Sequence, residues 1–140
     1  MTLILPVLLF TACSDRPPND VLTSTFAAFP DATYECMQWQ GRERCYYTIP
    51  TKGAPKKLVM ALHPAFTTVK LTEDVSKLAE TVVPQGFAVV YPVGIDKQWN
   101  DGRVMTDVET YNLKTDDVGF IDAVTARAQK QFKLGVEDTL

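Results

Sequence analysis

The chain has 140 residues, of which 46% are hydrophobic and 22% are charged, and its formal net charge is -3. This balance is typical of one globular domain with one core rather than of a disordered chain. It gives no support for nucleic-acid binding, which usually shows as a clustered basic surface. No apolar run is long enough to span a bilayer as a mature helix.

The N-terminus predicts export. Residues 1–10 read MTLILPVLLF, and Thr11-Ala12-Cys13-Ser14 follows. A short apolar run that ends in small residues indicates an export signal. The small residues before Cys13 resemble the bacterial lipobox, although no Lys or Arg precedes the apolar run. We therefore expect residues 1–13 to be a lipoprotein-type signal peptide with Cys13 as the lipidation site. A plain secretory signal or a buried N-terminal strand is the alternative.

A lipid on Cys13 would anchor the protein to the membrane, so we expect a bacterial outer-membrane lipoprotein that is periplasmic or extracellular. Residues 14–30 begin with a polar stretch that contains two prolines, SDRPPND, and we interpret them as a linker. The folded domain is then expected over residues 31–140.

A cysteine pair marks the first predicted hairpin. Cys36 and Cys45 flank the segment MQWQGRER, whose Gly could turn the chain between two β-forming stretches. In an exported protein these cysteines would meet oxidising conditions, so we expect a Cys36–Cys45 disulfide across or near the hairpin. Two cysteines and one distant histidine fall short of a tetrahedral set, so no metal site is predicted.

Two apolar runs predict strands, and two periodic segments predict helices. Residues 58–62 and 87–91 are apolar at consecutive positions, which indicates strands buried on both faces. Between them, residues 71–82 predict one helix with Thr72 as its N-cap. The apolar face of that helix would be Leu71, Val75, Leu78, Ala79 and Val82.

A loop over residues 93–115 precedes the second predicted helix. Asp116 is expected as its N-cap, Asp117 as a residue that compensates the helix dipole, and Gly135 as its end. Its apolar stripe would be Val118, Ile121, Val124, Ala128 and Phe132. The chain order therefore predicts an α/β fold, with an antiparallel hairpin followed by β-α-β-α of a mostly parallel sheet. Ligands bind such sheets beyond the C-terminal ends of the strands, where His63 lies.

Five pieces of the sequence, taken in order, resemble the secreted esterases related to polyhydroxybutyrate depolymerase and feruloyl esterase. They cover roughly the last two-thirds of the chain, and their combination is more specific than any one of them. The pieces are RCYYTIP (44–50), LVMALHP (58–64), QGFAVVYP (85–92), WNDG (99–102) and DDVGFI (116–121).

This resemblance implies an α/β-hydrolase fold and an exported serine esterase that uses no cofactor. The substrate would be a polyester or a plant-polysaccharide ester, including feruloyl and acetyl esters. The family's nucleophile lies on a G-x-S-x-G elbow, and its triad follows the chain order Ser, Asp, His. None of the three serines of this sequence, Ser14, Ser24 and Ser76, has Gly two residues before and after it.

Residues 134–140, LGVEDTL, resemble the loop directly before the strand that leads to the elbow. We therefore expect residues 31–140 to be the N-terminal half of an α/β-hydrolase domain, truncated before the nucleophile elbow. No catalytic residue is then assigned in this chain, and the triad is expected after Leu140. The alternative is a non-catalytic surface lipoprotein or binding module.

The resemblance places His63 in an oxyanion loop rather than as the catalytic base. In the family this loop supplies a backbone N–H that holds the negatively charged oxygen of the tetrahedral intermediate. Glycine usually follows the histidine, whereas Pro64 stands here and has no N–H. The donors would then come from Ala65 or Phe66.

Trp99 and Asn100 are the predicted residues of a substrate cleft, because their loop follows the C-terminal end of a strand. The alternative is that Trp99 covers the edge of the sheet and Asn100 caps a turn.

Overall fold

A computed structural model describes residues 24–103 and 114–140 of the chain. Four strands form one sheet, namely β1 (Thr33–Trp39), β2 (Arg42–Ile49), β3 (Lys57–Met60) and β4 (Phe87–Pro92). The helices are α1 (Val69–Ser76), α2 (Leu78–Val82) and α3 (Asp117–Phe132), with short 3-10 turns at Val83–Gln85 and Val136–Asp138. Within the described ranges, no helix has the length and apolarity that crossing a membrane requires.

The hairpin of β1 and β2 turns at Gln40 and Gly41, whose φ angles are 50° and 76°. A two-residue turn with two left-handed residues matches the twist of antiparallel strands. This turn sets a register in which Cys36 lies directly opposite Cys45, and a disulfide joins the two. The predicted disulfide is therefore confirmed.

The strands lie in the order β1-β2-β4-β3. β3 and β4 run parallel, whereas β2 pairs antiparallel with both β1 and β4. The α/β class is confirmed. The described strands form a mixed sheet rather than a mostly parallel one, because the hairpin extends the sheet along the free edge of β4.

β4 is buried on both faces, as its unbroken apolar run predicts. Val89 and Tyr91 pack toward α1 and α2 on one face, and Ala88 and Val90 pack toward α3 on the other. Burying one large apolar side chain contributes about 1.5–3 kcal/mol, so two such clusters hold this strand firmly in place. The C-terminal end of β4, where the candidate site begins, is therefore well fixed.

The segment predicted as one helix over residues 71–82 consists of two helices that meet at Lys77, where φ is 52°. The break is stabilised by Glu73, which is buried and accepts hydrogen bonds from the Ala79 and Glu80 N–H groups at the start of α2. A carboxylate at this position caps the second helix and complements its dipole.

The N-cap and the apolar face of α1 also differ from the prediction. Thr68 is the N-cap rather than Thr72, and its hydroxyl accepts the Leu71 N–H at 3.2 Å. Leu71 and Val75, which were expected on the apolar face, are 50% and 77% exposed. Because the helix is interrupted at Lys77, one continuous apolar stripe does not run through both α1 and α2.

α3 begins as predicted, since the Asp116 carboxylate accepts the Gly119 N–H at 2.8 Å as an N-cap does. It ends at Lys133, which has φ 57°, and not at Gly135. Val118 of the predicted stripe is 68% exposed, whereas Phe120 is fully buried. The face that packs on the sheet is Phe120, Val124 and Ala128, at a spacing of four residues.

The last residues pair with the outer edge of β3. The Leu140 N–H donates to the Leu58 carbonyl at 2.8 Å, and the Met60 N–H donates to the Leu140 carbonyl at 3.0 Å. The bridge between Leu58 and Thr139 is parallel. A strand that continued from Leu140 along β3 would run toward His63, because parallel neighbours share one direction.

Candidate active site

His63 is buried just beyond β3, and both of its ring nitrogens make hydrogen bonds. Nε2 accepts the Gly94 backbone N–H at 3.0 Å, and Nδ1 lies 3.0 Å from the Pro64 carbonyl oxygen. Because a carbonyl oxygen can only accept, we assign the proton to Nδ1 and the neutral form to the ring. Burial lowers the pKa of His63, opposed by its hydrogen bond to Pro64.

This geometry leaves His63 without a free lone pair, so it is suited to ordering the loop and not to accepting a proton from a nucleophile.

The turn over residues 64–67, which we call the oxyanion turn, is tightly held. The Pro64 carbonyl accepts the Thr67 hydroxyl at 2.7 Å and the Thr67 N–H at 3.3 Å. Phe66 has φ 62°, a left-handed conformation that costs a non-glycine residue about 1–2 kcal/mol. Its N–H donates to the Lys97 carbonyl at 2.8 Å. Strained residues held by several neighbours are characteristic of functional sites.

The two expected oxyanion donors differ in availability. The Phe66 N–H is already bonded to Lys97, whereas the Ala65 N–H has no partner among the described residues. Ala65 is also exposed at the C-terminal edge of the sheet. A free N–H on a rigid turn is what an oxyanion hole requires, so Ala65 is the better candidate. The oxyanion role of this loop stays a prediction.

A second turn, residues 95–98, supports the oxyanion turn from β4. Asp96 and Lys97 have φ angles of 50° and 60°, and the Gln98 N–H donates to the Ile95 carbonyl at 2.8 Å. Gly94 allows the two loops to meet. A Cβ at this position would lie 2.3 Å from the Gln98 carbonyl oxygen and 3.1 Å from the His63 ring.

Trp99 lies directly against His63. Its indole N–H donates to the His63 carbonyl at 2.9 Å, and the two ring centroids are 5.0 Å apart. The side chain of Asn100 makes its hydrogen bonds within its own loop. Its amide N–H donates to the Thr115 carbonyl at 2.8 Å, and its amide oxygen accepts the Gly102 N–H at 3.4 Å. These bonds favour the turn-capping interpretation of Asn100, and the cleft role of Trp99 stays a prediction.

A buried ion pair fixes the Trp99 loop to the rest of the fold. Arg44 of β2 donates to Asp117 of α3 at 2.7 Å, and these side chains are 2% and 3% exposed. The other Asp117 oxygen accepts the Asn100 backbone N–H. The Arg44 guanidinium also lies 4.0 Å from the centre of the Phe120 ring. Asp117 was expected only to compensate the helix dipole, but it also joins α3 to β2 and to the Trp99 loop.

Two of the three cysteines, Cys36 and Cys45, lie in the part of the chain that the structure describes. Cys36 and Cys45 lie close to Glu43, but their sulfur atoms are bonded to each other and so are not available as metal ligands. Cys13 lies outside the described residues, and its lipidation stays a prediction.

Beside the oxyanion turn lies a cavity of about 380 Å³, which we call the turn cavity. This size falls in the usual range for small-molecule sites. Among its lining residues are Tyr47, His63, Val69, Lys70 and Lys97. A larger cavity of about 570 Å³ lies near Pro50 and Gly86, at the N-terminal end of β4. We favour the turn cavity, because α/β sheets bind ligands beyond the C-terminal ends of their strands.

Comparison with known proteins establishes the fold. No family model and no curated protein matches the chain. The crystal structure of native sOPH has a TM-score of 0.59 and 18% identity, and the match covers 79% of this chain and 42% of that one. A PEG-bound, cold-adapted esterase from an Arctic intertidal metagenomic library has a TM-score of 0.42 and 16% identity, with 63% and 37% covered.

The chain therefore spans less than half the length of each of these two structures. At 18% identity the likeness to sOPH shows a shared fold and no more, and the TM-score of the second match is too low to carry an argument.

Several residues of the site are not found by reading the sequence. Lys97 and Gly94 belong to a loop that shows no periodic pattern, and the ion pair joins residues 73 positions apart. One signal was present for the ion pair. Arg44 directly precedes the β-forming stretch CYYTI, and a charge buried beside such a stretch requires a partner.

Proposed function

We propose that this chain supplies the sheet and the oxyanion turn of an exported serine esterase, as the N-terminal half of an α/β-hydrolase fold. The enzyme would be a carboxylic ester hydrolase of the polyhydroxybutyrate depolymerase or feruloyl/acetyl esterase type. The fold shared with sOPH supports the scaffold. The observation that carries the proposal is the Ala65 N–H, which has no partner among the described residues and is held on a rigid turn at the C-terminal edge of β3.

In such an enzyme a serine attacks the ester carbonyl, and the carbonyl oxygen becomes negatively charged. The Ala65 N–H would stabilise that charge, together with the N–H of the residue after the nucleophile. The pairing of Leu140 with β3 supports this arrangement, because a strand continuing in that direction would end beside Ala65. The serine, acid and base are proposed to follow Leu140. The substrate would be a polyester or a plant-polysaccharide ester.

Export and a lipid anchor on Cys13 belong to the same proposal. The Cys36–Cys45 disulfide supports export, since such bonds form and persist in oxidising compartments. Labelling of cells with a palmitate analogue tests the anchor. The wild-type protein and a Cys36→Ala variant should carry the label, whereas Cys13→Ala should not. Equal labelling of Cys13→Ala would contradict the anchor.

Hydrolysis of p-nitrophenyl butyrate tests the catalytic proposal. We would compare the 140-residue chain with the product of its reading frame extended past the Leu140 codon. The extended product should turn over the ester and react with a fluorophosphonate at a serine within G-x-S-x-G, and the 140-residue chain should do neither. A stop codon directly after Leu140 would instead favour a non-catalytic binding lipoprotein.

A further inference from the structure

The turn cavity is lined by a largely buried tyrosine whose hydroxyl has no hydrogen-bond partner among the described residues. Tyr47 is 7% exposed, and its ring packs between Phe26 and Tyr34 at centroid distances of 5.4 and 4.7 Å. Its hydroxyl makes no hydrogen bond within residues 24–103 and 114–140, although Tyr47 lines the cavity. The hydroxyl of a largely buried tyrosine usually has a partner, so one left open toward a cavity indicates a ligand.

The charges around the turn cavity are positive. Lys70 and Lys97 both line it, and none of the described lining residues is a carboxylate. Lys70 shares its charge with Asp74, at 2.8 Å, whereas the Lys97 ammonium has no partner among the described residues. The first turn of α1 also opens onto the cavity and contains no acidic residue. A helix N-terminus and an ammonium group both favour an anion.

Lys97 is held in position by its backbone. Its φ is 60°, a strained conformation for lysine, and its carbonyl accepts the Phe66 N–H of the oxyanion turn. One residue therefore connects the oxyanion turn to the positive wall of the cavity. A ligand bound beside Lys97 in the cavity would lie next to Thr67 of the oxyanion turn, which also lines the cavity.

We propose that the turn cavity binds the carboxylate end of a small organic acid. Lys97 pairs with the carboxylate and the Tyr47 hydroxyl donates a hydrogen bond to it. The apolar chain of the acid packs against Val69 and Val93, which also line the cavity. About 380 Å³ accommodates an acid of several carbons.

Because the cavity adjoins the oxyanion turn, the substrate is an ester that carries a free carboxylate away from the scissile bond, such as the acid end of a hydroxy-acid oligomer. This role as a substrate subsite rests on the proposed esterase function, whereas carboxylate binding by the chain does not.

Ligand-observed NMR on the 140-residue chain tests the binding, with hexanoate and hexanamide as probes. The two have nearly the same size and differ in charge. Hexanoate should bind saturably and hexanamide much more weakly. Lys97→Gln should weaken hexanoate binding by about fivefold, as the loss of a partly exposed ion pair does. Tyr47→Phe should weaken it by about threefold, as the loss of one hydrogen bond does.

The matched control is Lys130→Gln, which removes an exposed lysine from α3 on the other face of the sheet and should leave binding unchanged. Equal binding of hexanoate and hexanamide, an equal effect of Lys97→Gln and Lys130→Gln, or no saturable binding would each overturn the carboxylate site. If hexanoate fails to bind while the extended protein hydrolyses esters, the subsite is overturned and the esterase function stands. If hexanoate binds to a protein without esterase activity, the subsite role is overturned and the binding site stands.

Discussion

Replacing Asp117 by Asn should destabilise the fold more than any of the other substitutions proposed here that remove a single charge. Asn keeps the size of Asp117 but removes its charge, and it leaves the Arg44 guanidinium buried at 2% exposure. The Nε and Nη1 atoms of Arg44 already have no hydrogen-bond partner in the described residues. Removing one member of a buried ion pair costs about 3–5 kcal/mol.

Because the Asn oxygen can still accept one hydrogen bond from Arg44, we expect the lower end of this range, about 3 kcal/mol. Such a loss is a large part of the 5–15 kcal/mol that is typical of a domain, and it corresponds to roughly 10 °C in Tm. Urea unfolding followed by tryptophan fluorescence measures it, since Trp39 contacts α3 through Asp116 and Trp99 lies in the loop that Asp117 holds.

Two further variants make this test specific. Asp122→Asn removes an exposed carboxylate of the same helix and should change the free energy of unfolding by less than about 0.5 kcal/mol. Arg44→Met combined with Asp117→Asn should be less destabilising than the sum of the single changes, because no unpaired charge remains buried. A free energy of unfolding for Asp117→Asn within about 0.5 kcal/mol of wild type would show that the Arg44–Asp117 pair does not stabilise the fold.

Three other predictions concern the frame of the site. Gly94→Ala should cost more than about 2 kcal/mol in thermal melts, because its Cβ would lie 2.3 Å from a carbonyl oxygen, whereas Gly53→Ala has open space and should be neutral. Replacing Cys36 and Cys45 by serine should cost about 2.5 kcal/mol in urea unfolding, given a sequence separation of 9 residues. Because burial lowers the pKa of folded His63 below its ordinary 6.5, stability should be retained above that pH and decline below it, and His63→Asn should flatten this decline.

Local features of the fold could be read from the sequence. A Gly between two β-forming stretches indicated the hairpin, and the pair of cysteines that flanks it in a chain expected to be exported indicated the Cys36–Cys45 disulfide. Continuous apolar runs identified β3 and β4, because strands covered on both faces have no polar positions. Asp116 was recognisable as an N-cap by its residue type and position.

Features that depend on distant partners could not be read in this way. The break at Lys77 is stabilised by the buried Glu73 carboxylate, which accepts a hydrogen bond from Tyr91 on β4. The spacing of apolar residues along residues 71–82 does not indicate that contact. In the candidate site, too, the local features could be predicted from the sequence and the long-range contacts could not. His63 was expected at the C-terminal edge of the sheet and lies there, whereas the turn cavity is lined by residues from several separate segments.

The most direct test of the account is the role of the Ala65 N–H. Ala65→Pro removes this N–H at the second position of a turn whose third residue is left-handed, a place where proline fits well. Ala65→Gly is the control, because it keeps the N–H. If the reading frame extended past Leu140 encodes the esterase that we propose, Ala65→Pro in that protein should lower kcat by about 100- to 1,000-fold, as the loss of an oxyanion donor does, while Ala65→Gly stays near wild type. A kcat for Ala65→Pro equal to that of Ala65→Gly would contradict the account.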